Sequence, residues 1–483
     1  MIRMKRNFWI VLAAALATAQ TLPPAEIAAR LTANNLKADV SFLASDALQG
    51  RGTPSPGLDI AAEFIAAQFR AAGLDPAGDD GYFQTAPFLQ LTTDQQGRHL
   101  TLEIGGKSIE ALDSTFAVVE PAALNLEHAA VWFATSVDGL TPEEIRGKVL
   151  ILQPAGPRRR VSPAVLARLQ PVLVLNVPAA DGAMTAAMPP RLREASTPVV
   201  PSMTVWSQPI KDALADAKPG LLDAKISAHI AAPKSEPVKL RNVVGVLRGA
   251  DPVLRDTYVL VTGHYDHLGV RGTGSGDHIY NGANDDASGT SCVIEIARTL
   301  GALPTRPKRS IVFMALFGEE LGLVGSRYYG QHPIFPLAKT IADLNLEQMG
   351  RTDDNTGPRV GIVNATGFDF TDLTSTFAKA GAEFGIKLEK DEQSSDSFFA
   401  RSDNQAFADA GIPSHTFSVG YVFPDYHQPG DEWQKIDYEN MAKVDRTVAL
   451  GLYLIADSAE VPHWNAENPK TAPYRRAAEE LHK

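Results

Sequence analysis

In the stretch Tyr258–Gly289, YVLVTGHYDHLGVRGTGSGDHIYNGANDDASG, an apolar run ends in Gly263 and delivers His264 and Asp266. A glycine-rich loop follows and delivers Asp285 and Asp286. Two residues apart in an extended segment, His264 and Asp266 point the same way, which suits a metal ligand with its own orienting carboxylate. Three more apolar runs end in the same residue types. IVFMALF leads to Gly318-Glu319-Glu320, TIADLNL to Glu347, and the run Pro413 to Val419 is followed by His427 within YHQPGDEW. Taken singly, each has a bland explanation: a Glu-Glu pair favours a helix start, Asn-Asp-Asp-Ala-Ser a helix cap, and a lone histidine the surface or a satisfied core site. Recurring at four successive strand ends, they point to chemistry. Histidine and carboxylate without thiolate suit a hydrolytic zinc site rather than a structural one.

Unbroken apolar runs bounded by turn residues read as strands buried on both faces, as in a parallel sheet whose loops gather at one edge. Open α/β sheets place their sites at such an edge. Strands are expected from Asn242, at Tyr258 to Thr262, Ser310 to Phe317, Thr340 to Leu346 and Pro413 to Val419. Helices are expected at Ser288 to Leu300, after the Glu-Glu pair, at Phe368 to Phe384 and at Asn440 to Ala456. This alternation predicts an α/β fold with right-handed crossovers and helix, sheet and helix layers. Upstream, helix-compatible residues run from Pro23 to Leu48, Gln49 to Pro54 breaks the pattern, and Leu58 to Ala72 has helical spacing closed by Gly73. Between Ala111 and Pro237 the texture changes to short β-like runs separated by prolines, which reads as an inserted, mostly-β domain at 111–237. The discontinuous remainder, 20–110 and 238–462, carries the site, and the polar composition of 463–483 predicts a loosely held tail.

Of 483 residues, 44% are hydrophobic and 21% charged, as in ordinary globular proteins of more than one domain. A net charge of −11 argues against nucleic acid as a partner. The run Arg158-Arg159-Arg160 reads as a solvated loop. Basic residues before the apolar stretch Phe8 to Leu16, then Ala17-Thr18-Ala19, have the layout of a secretory signal peptide over 1–19. Export to the periplasm or outside the cell is the expectation, without stable membrane insertion once the signal is removed. Cys292 is the only cysteine, so no intrachain disulfide can form, and a small buried role is expected for it.

The segments GHYDHLG, NGANDDASGT, FGEELGLVGS, NLEQMGR, RSDNQAFADAGIP and YHQPGDEW resemble the successive motifs of the di-zinc aminopeptidase and glutamate carboxypeptidase family of metallopeptidases. LQGRGTPSPG and the residues through GYFQ resemble that family's N-terminal segment, and the insert resembles a protease-associated domain. The resemblance implies two Zn2+ ions per chain, with His264 and Glu347 on one, Glu320 and His427 on the other, and Asp285 bridging. It implies Glu319 as general base, Asp266 as the partner that orients His264, Tyr426 as donor to the oxyanion, and a cis bond between Asp285 and Asp286. Ser402 and Asp403 would support the pocket wall, whereas His267, His278, His332 and His415 fall outside the ligand positions and are expected in surface or core roles. Many relatives have aspartate where this chain has Glu347. The implied activity is removal of N-terminal residues from peptides by water shared between the metals. Carboxypeptidase cleavage, one-zinc glutaminyl cyclisation and a non-enzymatic binding role are the alternatives; such binding relatives usually lack ligands, and none is missing here.

Overall fold

The computed structural model describes residues 30–94, 97–154, 161, 163–178, 191–196 and 199–483. The signal-peptide reading and the Arg158 to Arg160 run lie outside the described residues. The described residues form two compact units, 30–85 with 241–483, and those within 86–240.

The strands that matter in the first unit are β1 (Lys234–Leu247, in this unit from 241 on), β2 (Tyr258–His264), β3 (Ser310–Leu316), β4 (Thr340–Leu346), β5 (Ile362–Ala365), β6 (Lys387–Glu389) and β7 (Ser414–Ser418). They lie in the order β6-β5-β7-β4-β2-β3-β1. The run β7-β4-β2-β3 is parallel, while β1 is antiparallel to β3 and β5 antiparallel to β7. Every residue of β2 and β3 is buried, as expected for strands covered on both faces.

Alternate side chains feed two different layers. Leu260, Val312 and Met314 pack with Tyr329 of α4 (Val324–Gln331) and Phe407 of α6 (Asn404–Asp409). Phe313 points the other way, its ring centroid 6.3 Å from that of Phe69 in α2 (Pro56–Ala71). That second layer also holds α1 (Ala33–Leu43), α3 (Gly289–Gly301) and the long α7 (Tyr438–Asp457). Burying one such aliphatic side chain is worth about 1.5–3 kcal/mol, so the central strands anchor whatever their ends carry.

Three expectations are corrected. The helix predicted from Phe368 is α5 (Leu373–Ala382), because Gly367 and Thr371 hold the preceding residues in turns. The segment 463–483 is not loose: it ends in α8 (Ala472–Leu481), Trp464 stacks on Tyr474 at 5.0 Å, and the Trp464 indole N–H donates to Gly411 O at 2.8 Å. Its polarity is that of an amphipathic helix. Finally, the second unit starts at Ala86, not Ala111. The hairpin His99–Ile104 and Lys107–Glu110 pairs with Gly220–Ile230, Leu102 opposite Ile226. Local composition cannot reveal a partner that distant. This unit is an eight-stranded mixed sheet with its own core around Phe116, Val131, Phe133, Ile151, Met203 and Ile226.

Candidate metal centre

Because β2, β3 and β4 run in parallel, their C-terminal ends open on one edge, and each deposits an acid or an imidazole there. His264, the last residue of β2, is fully buried. Its Nδ1 lies 3.2 Å from the Asp266 carbonyl oxygen and 3.6 Å from Asp266 Oδ1, and its Nε2 lies 3.3 Å from Asp285 Oδ1. Asp266 also accepts the Glu319 backbone N–H at 3.1 Å and the Thr53 hydroxyl at 3.2 Å. One carboxylate therefore sets both an imidazole and the start of the Glu319-Glu320 turn.

Asp285 sits on a tight turn, Ala283–Ser288, and its bond to Asp286 is cis. Its Oδ2 lies 3.1 Å from His427 Nε2, so the one carboxylate stands between two histidines, one at the end of β2 and one in the loop after β7. Glu320 Oε1 is 3.3 Å from the same His427 nitrogen. Donor atoms of His264, Asp285 and Glu347 all lie within 4.8 Å of one another, as do those of His267, Asp285 and Glu320. The extra methylene of Glu347 thus keeps its carboxylate within reach. His427 and Gln348 adopt left-handed backbone (φ 55° each), a conformation that costs a non-glycine residue of order 1–3 kcal/mol and clusters at functional sites.

The turn is held by side chains that carry no part of the predicted set. Buried Asp431 accepts the backbone N–H groups of Asn284, at 3.0 Å, and Asp285, at 3.1 Å. Asn284 Oδ1 accepts from Gly350 and Arg351, and Asp286 Oδ1 from Gly289 and Gln348. Arg51, wholly buried, donates to the carbonyls of Leu43, Tyr265 (2.8 Å), Asn281 (2.7 Å) and Gly282 (2.9 Å). Sequence reasoning assigns no role to Arg51, within LQGRGTPSPG, or to Asp431, within YHQPGDEW. A third omission is His267, expected away from the ligands: it is buried, its Nδ1 2.8 Å from Glu320 Oε1.

Tyr426 stacks on His427 with ring centroids 3.9 Å apart. Ser402 accepts from Asn345 at 2.8 Å, and Asp403 accepts the Ser326 hydroxyl at 2.5 Å. His415 is a core residue bonded at both ring nitrogens, His278 bonds to Gly274 O in a surface loop, and His332 is exposed. Cys292 is buried in α3, where burial pushes its thiol well up, and it is inert in this arrangement.

Electrostatics sort the acids. Burial pushes Glu319 well above the usual carboxylate range against the pull of His264, and it raises Glu347 to about 7, Asp403 to about 6 and Asp431 to about 6. Burial acts on Asp285 in the same direction, but the adjacent imidazoles of His264 and His427 overcome it and hold the group well below the ordinary value. His427 is correspondingly raised to about 10: Asp285 and Glu320 outweigh its partial burial. So many enclosed carboxylates around three imidazoles call for cationic charge.

Divalent zinc fits this donor set. Ligand atoms about 2 Å from a tetrahedral zinc lie roughly 3.3 Å from each other, and the separations 3.3, 3.1 and 3.3 Å among His264, Asp285, His427 and Glu320 match that edge. His264 Nε2 and Glu320 Oε1 nevertheless have no hydrogen-bond partner. They are close to their neighbours without being aimed at them, the arrangement of atoms that converge on a shared cation.

Residues 242–451 match the family model described as peptidase family M28. This segment belongs to that family. All the ligand-type residues above lie within the M28 segment. Aminopeptidase YwaD of Bacillus subtilis is 28% identical over 219 residues, 44% of each chain, and a probable zinc metalloprotease of Pyricularia oryzae is 44% identical over 98 residues, 20% of this chain and 18% of that protein. This chain therefore spans less than half the length of these two relatives. Among solved structures, an aminopeptidase from Aneurinibacillus sp. strain AM-1 aligns over 91% of this chain and 97% of its own, at 20% identity and a TM-score of 0.55, so the two share a fold.

Proposed function

We propose that this chain is an exported zinc-dependent exopeptidase that removes N-terminal residues from peptides. The observation that carries the reading is the position of Asp285 between His264 and His427, with Glu347 on one side and Glu320 on the other. His264, Asp285 and Glu347 would hold one zinc ion; Asp285, Glu320 and His427 would hold the second. Bound there, the metals would supply Lewis acidity, polarising a scissile carbonyl and acidifying water at neutral pH.

The chain's own groups do the rest. Glu319, its N–H fixed by Asp266 and its pKa raised by burial, takes a proton from the attacking water and delivers it to the leaving amine. Burial and the surrounding acids keep the Tyr426 phenol protonated, so it can donate to the carbonyl oxygen as negative charge develops. Losing such a donor typically costs about 2.7–4 kcal/mol of transition-state stabilisation.

Amino- rather than carboxypeptidase action is supported by charge. A free C-terminus needs an available cation; of the two arginines beside the motifs, Arg351 is buried and committed to Asp353 at 2.6 Å and Asp425 at 2.9 Å, which leaves only the exposed Arg401, lying over the Phe398 ring at 4.3 Å. An excess of carboxylates favours an N-terminal ammonium instead. The zinc-loaded protein is expected to trim a peptide with a free N-terminus residue by residue and to spare its N-acetylated counterpart. Equal cleavage of both would refute the assignment. Export rests on the sequence pattern at 1–19, and for the unit 86–240 the protease-associated reading is supported by its mostly-β make-up. Among the described residues, no helix is long and apolar enough to cross a membrane.

A further inference from the structure

We propose that His267 is an additional protein ligand to the metal held by Asp285, Glu320 and His427, making the two halves of the centre chemically unequal. The inference rests on the zinc reading above and goes beyond the ligand set implied by resemblance.

His267 is 2% exposed, and neither of its ring nitrogens has a hydrogen-bond partner. Buried polar groups are nearly always satisfied, and an imidazole whose close polar neighbour, Glu320 Oε1, stands at 2.8 Å without a well-aligned hydrogen bond calls for a physical cause. The chain supplies its own comparison. His415, equally buried, bonds Thr371 Oγ1 at 2.6 Å and Thr366 O at 2.7 Å. A structural histidine in this protein is therefore saturated, and His267 is not.

Its surroundings aim it at the metal position. The backbone N–H of His267 donates to Arg51 O at 3.2 Å, fixing the residue on the turn after β2. Gly282, at φ 57°, lies against the ring: a Cβ there would be 2.4 Å from His267 Cγ, so only glycine leaves room for the imidazole in this position. Nδ1 is left 2.8 Å from Glu320 Oε1, an oxygen that itself lacks a hydrogen-bond partner, and within 4.8 Å of a carboxylate oxygen of Asp285. The His267 and His427 rings meet edge to face at 5.7 Å, presenting two imidazoles to the same carboxylates.

The asymmetry has a consequence for metal choice. One half offers a single imidazole with two carboxylates; the other offers two imidazoles with two carboxylates. Imidazole selects zinc, copper or nickel, whereas carboxylate-rich sets also admit manganese or magnesium. Loading is then stepwise, with zinc seated first on the His267 side and the His264 side more readily exchanged.

Titration of the metal-stripped full chain with zinc, followed by calorimetry and bound-metal analysis, tests this in wild type and His267→Gln. Two resolved steps are expected in wild type, the tighter one weakened in the variant by more than the roughly 10–100-fold that follows loss of an outer partner. Wild type that binds no zinc would sink the functional reading itself, whereas two unchanged steps in the variant would sink only this inference. A His267→Cys variant loaded with cobalt gives an independent readout. A sulfur-to-cobalt charge-transfer band, absent from wild type, is expected. Two bound cobalt ions without that band would show that the residue merely buttresses Glu320.

Discussion

Glu319 and Glu320 are covalent neighbours with opposite electrostatic fates. Burial lifts the first; the second, though burial and Asp285 also push it up, is brought below its ordinary value by His267 and His427. Adjacent carboxyls driven apart in this way fit the proposed division of labour between proton carrier and ligand. Glu319→Gln is accordingly expected to lower turnover by roughly 10²–10⁴-fold while leaving bound zinc unchanged, as measured by steady-state kinetics beside metal analysis. Undiminished turnover would remove Glu319 from the proton path. At this scale the sequence is informative wherever a ligand-type residue closes an apolar run, as His264 and Glu347 do. His267 escaped because spacing along a strand end says nothing about which way the chain turns next. Its direction is set by Arg51 and Gly282, neither adjacent to it in sequence.

Among the elements, the parallel strands were readable because burial on both faces leaves continuous apolar runs, and the observed β4, Thr340–Leu346, has the predicted limits. The loops between them were less so. Gln49 to Pro54 looks like a simple break in a helix, yet it carries the guanidinium that pins the turn before Asp285. PGDEW reads as a turn around a histidine, yet Asp431 holds two backbone N–H groups of that same turn. Such contacts join residues more than a hundred positions apart, and no local pattern encodes them. Asp431→Asn keeps the shape and gives up the charge. Zinc affinity is expected to drop about 10–100-fold, the usual effect of disturbing groups that orient ligands; a calorimetric titration that matches wild type would count against this role.

For the molecule as a whole, metal and fold should be coupled, because ligands contributed by β2, the turn before α3, and the ends of β3 and β4 come together only in the native state. Stripping zinc with a chelator is expected to lower Tm. Site occupancy at a hundred times Kd is worth about 2.7 kcal/mol, and a scanning-calorimetry trace unmoved by chelation would contradict that coupling. Acid should act through His415. Burial holds this imidazole down to about 4 from an ordinary 6.5, so the unfolded chain takes up a proton that the folded one resists. The stabilisation is complete above pH 6.5 and is lost as pH falls to about 4, a change of about 3 kcal/mol. The difference between the pH profiles of wild type and His415→Gln in urea unfolding isolates it; parallel profiles would refute it.

The clamp made by Arg51 bears on how the protein is born. Its guanidinium reaches a carbonyl 230 residues ahead, and Arg446 reaches back 415 residues to the carbonyl of Leu31. A nascent chain still short of Arg446 has neither its closing contact nor a place for α7 against α1. The layer that α1 and α7 form therefore closes only after Arg446 has been made, although every candidate metal ligand, from His264 to His427, precedes it in the chain.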